Sequence, residues 1–255
     1  MRMVAKGLGL TAISGNVSDF HTLTADHPQI TVRRTLLCLA GNQPFWRETA
    51  DVWNDGVERW TYVRGTDLAK RVGVDGYYMR IAPPESAEAA SPRHGFVPIK
   101  NRPPGQSDEP ASHIISPDAL ALVRFGLRAA DDRKITNTLK VIDSLLRVEA
   151  PYGPVWHRYN DDGYGEHDDG SPFDGTGSGR LWPLLTGERG HYELAAGRDP
   201  MPFLAAMEKF ANQGGMISEQ LWDAEDLGGM RRGLPTGAAM PLCWSHAEYV
   251  SLVRS

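Results

Sequence analysis

The chain has 255 residues, 41% of them hydrophobic, with 27 basic side chains against 32 acidic ones and a formal net charge of −5. That length permits one large domain or two small ones, and seven tryptophans supply bulky core-formers. The balance excludes the basic patch that a nucleic-acid partner requires, no apolar run nears membrane-spanning length, and Cys38 and Cys243 form neither a metal spacing nor a disulfide framework.

The opening "MRMVAKGLGLTAISG" has two basic residues and then a stretch diluted by glycine, threonine and serine. It reads poorly as a signal peptide, which favours a cytoplasmic location for the chain as written. Residues 46–61 place Trp46, Ala50, Trp53, Val57 and Trp60 on one stripe, the pattern of an amphipathic helix with an aromatic inner face. "GVDGYYMRIAP" reads as a short extended piece, and loop follows as far as Ser116. There Ser116, Pro117 and Asp118 mark a helix start, with Leu120, Val123 and Leu127 on one face. A second helix after Asp131–Asp132 carries Ile135, Leu139, Ile142 and Leu146, and the short connector predicts antiparallel packing of the two.

Residues 151–179 read as one long loop rich in glycine and aspartate, a type of loop that is usually functional. "RLWPLLTGERGHYELAAG" predicts a short helix, a turn at Gly187 and a second helix ending at Gly197. Asp199 and Pro200 start another helix, with Phe203, Met207 and Phe210 inward and Gly214–Gly215 as its stop. The connector "ISEQLWD" follows, and "AAMPLCWSHAEYVSLVRS" makes the last helix. About seven helices and little strand define an all-α class, with function on the long loops.

Four stretches can carry chemistry, and each has a plain structural reading beside the functional one. Glu219, with Gln220 and Trp222, is a capping glutamate beside a core indole, or a catalytic carboxylate beside a sugar-stacking ring. "HRYNDDGYGEHDDG", residues 157–170, is a solvated acidic loop, a weak calcium candidate that misses the EF-hand spacing, or a sugar site with Arg158, Tyr159 and Tyr164 interleaved. Arg180, Trp182, Glu188 and Arg189 read as ion-paired packing at helix ends or as part of a site. His246 and Glu248 invite a catalytic reading, yet a lone histidine on a helix is more often a hydrogen-bonded core residue, with no triad or zinc context.

Together "RYNDDGYGE", "GRLWPLLTGERGHYELAAG", "MISEQLWD" and "PLCWSHAEYV" resemble the glucoamylase and glucodextranase family, glycoside hydrolase family 15, over residues 46–255. Four long motifs in the family's order are far more specific than any one alone, and the glucodextranase-like bacterial branch is the most similar. The resemblance implies an (α/α)6 toroid, of which this chain holds about the C-terminal half. It implies inverting hydrolysis of terminal α-glucosidic bonds with release of β-glucose from an α-glucan, and no cofactor or metal. Inverting chemistry uses two carboxyl groups roughly 6.5–9.5 Å apart, one protonating the leaving oxygen and one activating water. By resemblance Glu219 is the general base and Arg158 holds the terminal sugar. Tyr164 and Trp244 are aromatic pocket positions, with Trp222 and Trp182 as wall or support.

The family's general acid is a glutamate far upstream, in a segment containing tryptophan and glutamate. Residues 1–47 contain no glutamate; the first is Glu48, preceded by Asp19 and Asp26 as the only carboxylates. Residues 1–45 do not resemble the family. The expectation is therefore a truncated or frame-disrupted chain without its general acid. The alternative is a non-catalytic glucan-binding fragment, or a half-ring paired with a second chain that supplies the rest.

Overall fold

Several helices begin where a side chain or a proline takes care of the unpaired first-turn amides. The structure, a computed structural model, describes residues 44–81 and 94–255. Asp19, Asp26 and most of the divergent 1–45 segment lie outside the described residues, as do 82–93 of the expected loop. Thr66 accepts from the Ala69 amide to start one short helix, and Asp132 accepts from the Lys134 amide to start a longer one. Pro44 and Pro183 open two more, where a missing N–H costs nothing.

The described residues fall into two units. The first runs to Gly56 and includes Phe125–Arg128. In it the Arg128 guanidinium donates to Asn54 Oδ1 at 2.7 Å and to the Asn54 carbonyl at 3.0 Å. The helix expected over 46–61 is present as α1, Pro44–Thr61. Its aromatic face is only partly covered, since Trp53 remains 49% exposed.

The second unit, Val57–Arg124 with Ala129–Ser255, holds the other elements. In order these are β1 Tyr62–Arg64, α2 Asp67–Val72, β2 Gly76–Tyr78, β3 Phe96–Pro98 and β4 Asp108–Pro110. There follow 3-10 turns at Ala111–His113 and Pro117–Leu120, α3 Ala121–Arg124, α4 Arg133–Leu146, β5 Arg147–Ala150, β6 Gly153–His157 and β7 Leu181–Trp182. Three helices close the chain: α5 Pro183–Ala195, α6 Met201–Phe210 and α7 Cys243–Arg254.

The unit is helix-rich but not all-α. Three small antiparallel sheets interrupt it: β1–β2, β3–β4 and β5–β6–β7. Two of them fall where the sequence predicts loop. Phe96–Pro98 pairs with Asp108–Pro110, and Gly153–His157 forms the central strand of the third sheet. The run Gly153–His157 alternates weakly, and its strand character comes from pairing with residues adjacent in space. The start at Ser116 is in place but yields a 3-10 turn and one α turn rather than a long helix, and that 3-10 turn is what packs on α4. Gly126, at φ +69, stands just past the end.

Strand alternation partitions the core. On β6 and β7, Trp156 and Trp182 join the larger apolar cluster with Ile135, Ile142 and Leu185. Their neighbours Val155 and Leu181 join the smaller one with Ala206 and Phe210. Leu221 extends the sheet, bridging Leu181 on one side and Pro235 on the other. The connector carrying Glu219 is thus hydrogen-bonded as an extra extended segment.

α5 runs unbroken through Gly187, against the expected turn. The glycine is there for contact. A Cβ would stand 2.6 Å from Glu248 Cγ and 2.8 Å from Met207 Sδ, so its absence lets α6 and α7 close on α5. α6 buries Met207 and Phe210 as expected but stops at Phe210, before Gly214. Asn212 ends it by accepting from the Gly214 and Met216 amides.

Candidate functional site

The connector holds Glu219 by its backbone. Its amide donates to the Ala239 carbonyl at 2.9 Å, Leu221 pairs with Leu181, and Thr236 donates its amide to the Gln220 carbonyl. Gln220 is buried, its Oε1 accepting from the Arg180 amide and its Nε2 donating to the Tyr164 carbonyl. With its neighbours fixed, the Glu219 side chain is left half-buried. The Tyr164 hydroxyl donates to Glu219 Oε2 at 3.3 Å. Burial, and after it the Glu219 carboxylate, push the Tyr164 phenol above its usual range, so it remains a donor.

Arg158 leaves β6 and turns back on its own loop. Asp162 grips it in a two-bond fork, Nε to Oδ2 and Nη2 to Oδ1, both at 2.8 Å. Burial works against the guanidinium charge, but the Asp162 carboxylate outweighs it and raises the Arg158 pKa. The charge stands 5.2 Å from the ring centroids of Tyr164 and Trp182 and 5.0 Å from that of Tyr159, with 35% of the side chain exposed. The Tyr164 and Trp182 rings are 6.2 Å apart. A permanent cation, a tyrosine ring, the buried Trp182 indole and a half-buried carboxylate therefore meet at one place.

The loop reaches this shape through close backbone contact. A Cβ on Gly165 would stand 2.7 Å from Gln220 Oε1 and would also strike the Ser178 carbonyl. Only glycine lets the chain between Tyr164 and Glu166 lie against the Glu219 connector.

The structure brings Arg158, Tyr164, Trp182 and Glu219 together. Trp182 is buried, so it offers at most an edge. Trp222 is 0% exposed and has no surface to give a ligand. Its indole donates to the Glu225 carbonyl and lies under the Arg180 guanidinium at 4.2 Å, which makes it a support and not a wall. Trp244 is 60% exposed on the first turn of α7. That turn sits beside the connector, since the Ser245 hydroxyl donates to the Ser218 carbonyl and the Ile217 amide donates to His246 Nε2.

His246 is therefore the hydrogen-bonded structural histidine, and Glu248 is bound to Arg124 at 2.9 Å. Arg189 is ion-paired packing, held by Asp143 and Glu193 at 2.6 Å each. Arg180 is buried and bound to Asp223 and Asp168. Asp169 and Asp174 accept from their own loop, from Ser171 and Thr176. Among the described residues no group of three or more histidine, cysteine or acidic side chains is placed to hold a metal. No described helix is long and apolar enough to cross a membrane. Sequence reasoning missed Asp162, whose spacing of four from Arg158 was the available signal, and Gly165, which gave none.

The model for glycosyl hydrolases family 15 matches residues 34–254. A glucoamylase of Clostridium sp. (strain G0005) is 47% identical over 210 residues, which is 82% of this chain and 27% of the relative. The solved structure of a bacterial glucoamylase complexed with acarbose superposes with a TM-score of 0.74 at 44% identity, over 89% of this chain and 33% of that one. A solved glycosidase at 21% identity and TM-score 0.53 shares the fold, over 92% of this chain and 51% of its own. The chain thus spans about a quarter to a third of the length of its glucoamylase relatives. With a family model covering most of its length, the chain belongs to glycosyl hydrolases family 15.

Proposed function

We propose that this chain carries the base-bearing part of a glucoamylase-type glycoside hydrolase, acting on terminal α-glucosidic bonds with inversion and release of β-glucose. The observation that carries the reading is the half-buried Glu219 carboxylate, oriented by the Tyr164 hydroxyl at 3.3 Å. A general base must be ionised, within reach of a water and held in one geometry. The Glu219 amide bond to Ala239 and the Tyr164 bond supply that geometry. Arg158, fixed by Asp162, offers donors to the hydroxyls of a terminal sugar, and Tyr164 with the edge of Trp182 offers apolar surface to its ring. Trp244 supplies a further exposed aromatic face beside the connector.

Support also comes from the relatives, one named a glucoamylase and another solved with acarbose, a pseudo-oligosaccharide. On this reading the partner carboxyl, the general acid, is not on this chain, since residues 1–47 contain no glutamate. The rest of the pocket is then supplied by polypeptide equivalent to the part of the solved glucoamylase that this chain does not match, on a second chain where the first does not provide it.

Glucose release from maltooligosaccharides, with the anomer followed by NMR, tests the assignment, and acarbose titration tests the pocket. Glu219→Gln should abolish any turnover while leaving acarbose binding within about tenfold, because a base acts on water more than on bound sugar. Turnover that survives the substitution removes Glu219 from the chemistry. Binding without turnover in the unaltered chain identifies it as a glucan-binding part that needs its partner.

A further inference from the structure

The β3–β4 hairpin ends in a tip, Ile99–Ser107, to which the chemistry above gives no part. Ile99 is buried in the larger apolar cluster, and its amide donates to the Ser107 carbonyl to close the tip. Two residues of the tip reach the loop that carries Arg158 and Tyr164. Arg102 Nε donates to the Asp161 carbonyl at 3.0 Å, and its Nη2 donates to Asp161 Oδ1 at 2.9 Å. The Asn101 carbonyl lies so close to Gly163 that a Cβ there would stand 1.9 Å away. Asn101 Nδ2 also donates to the Gly175 carbonyl at 3.3 Å. The tip therefore touches the loop on both sides of Asp162 and once more further along.

Asp161 is the position that needs holding. It is the one non-glycine residue among the described residues with a left-handed backbone, φ 63. Side chains are disfavoured there, least so for asparagine and aspartate. Its second carboxylate oxygen accepts from Asn160 Nδ2. The carbonyl that Arg102 grips belongs to the peptide leading into Asp162, which forks Arg158 and accepts the Tyr164 amide.

As an ion pair, Arg102 with Asp161 contributes little, because the Asp161 side chain is 42% exposed. Two bonds from one planar guanidinium, one of them to a backbone carbonyl, instead fix the direction of a peptide.

We infer that Arg102 is a positioning residue for sugar recognition: by holding Asp161 in its left-handed turn, it sets the angle at which Asp162 presents Arg158 and Tyr164 to an α-glucosyl unit. Arg102 itself touches no sugar on this account. Without it Asp161 relaxes toward ordinary backbone, Asp162 turns with it, and the Arg158 donors miss the hydroxyls. This inference rests on the α-glucoside reading above.

Calorimetric titration of the full chain with acarbose tests it, with urea unfolding of each variant alongside. Arg102→Ala should weaken acarbose binding roughly tenfold, the scale of a small misplacement of binding groups. Arg102→Lys should weaken it similarly, because an ammonium lacks the planar fork that holds carbonyl and carboxylate together. In an Asp162→Asn background, where the grip on Arg158 is already loosened, Arg102→Ala should cost less than about twofold, since two steps of one path are not additive. A purely structural Arg102 would lower the unfolding midpoint and leave acarbose affinity alone. The inference falls alone if the unaltered chain binds acarbose and Arg102→Ala binds it equally well. It falls equally if Arg102→Lys keeps full affinity, or if Arg102→Ala costs the same in both backgrounds. If the unaltered chain does not bind acarbose, the α-glucoside reading falls and takes this inference with it.

Discussion

At the scale of single residues, the site depends on how Asp162 divides its bonds. Its side chain is buried and accepts twice from Arg158 and once from the Tyr164 amide. One carboxylate thus aims the cation and also fixes the start of the turn that carries Tyr164. Asp162→Asn should lower stability by about 1–3 kcal/mol, less than for a fully buried pair because Arg158 is partly solvated. It should weaken acarbose binding roughly 10–100-fold through lost positioning. Urea unfolding and calorimetry measure the two effects, and an Asn variant equal to the parent in both would make the fork incidental. Arg158, Tyr164 and Glu219 were singled out in the sequence because their types and order match a family pattern, and the structure brings them together. Asp162 was not singled out, because its spacing of four from Arg158 is a faint signal within a run of acidic residues.

At the scale of elements, α5 and α7 enclose a group of charges that no sequence pattern announces. Glu188 on α5 is pushed up to about 7, first by burial and then by Glu248 of α7 and Asp118. Arg124 of α3 opposes this. His191, one turn along α5, is pushed down to about 4 by burial and by Arg124. Its Nε2 is 3.3 Å from Glu248 Oε1 but is not aligned to hydrogen-bond with it. Burial raises Glu248 as well, against the pull of Arg124. The two α5 groups act on stability with opposite sign. The folded chain keeps the Glu188 proton after the unfolded chain has released it at 4.5, so this contribution is whole below 4.5 and is lost as pH rises to about 7. The unfolded chain takes up a His191 proton below 6.5 that the folded chain refuses until about 4, so that contribution is lost as pH falls through this window. Each is on the order of 3 kcal/mol at most, and between 4.5 and 6.5 they cancel. Stability of the unaltered chain should therefore be nearly flat there. Glu188→Gln should expose the histidine slope, stability rising with pH from about 4 to 6.5, and His191→Gln should expose the reverse slope from 4.5 to about 7. Denaturant midpoints across that range decide it, and parallel flat profiles in all three proteins would rule out the opposed pair. The helices themselves were legible from their apolar spacing. The continuity of α5 was not, because Gly187 punctuates a sequence in the same way whether it breaks a helix or admits a neighbour.

At the scale of the whole molecule, the family was legible from four motifs, whereas the small sheets were not. Their strands are two to five residues long, too short to show an alternating pattern. The surface of the described residues adds a consequence of its own. α7 buries Ser245, Glu248 and Leu252 and leaves Trp244, Ala247, Val250 and Val253 facing outward at spacings of three. Val250 and Val253 are each 52% exposed. Exposed apolar side chains that recur along one helix favour association between copies. A net charge of −5 on 255 residues opposes that association only weakly once salt screens it. The chain should therefore associate with a second copy of itself, more strongly at higher salt, as seen in the concentration dependence of its sedimentation. Val250→Glu with Val253→Glu should return it to a monomer while changing the stability of the fold by no more than about 0.5 kcal/mol, since both side chains are exposed surface positions. A parent chain that sediments as a monomer at every salt concentration would show that this helix face tolerates water on its own.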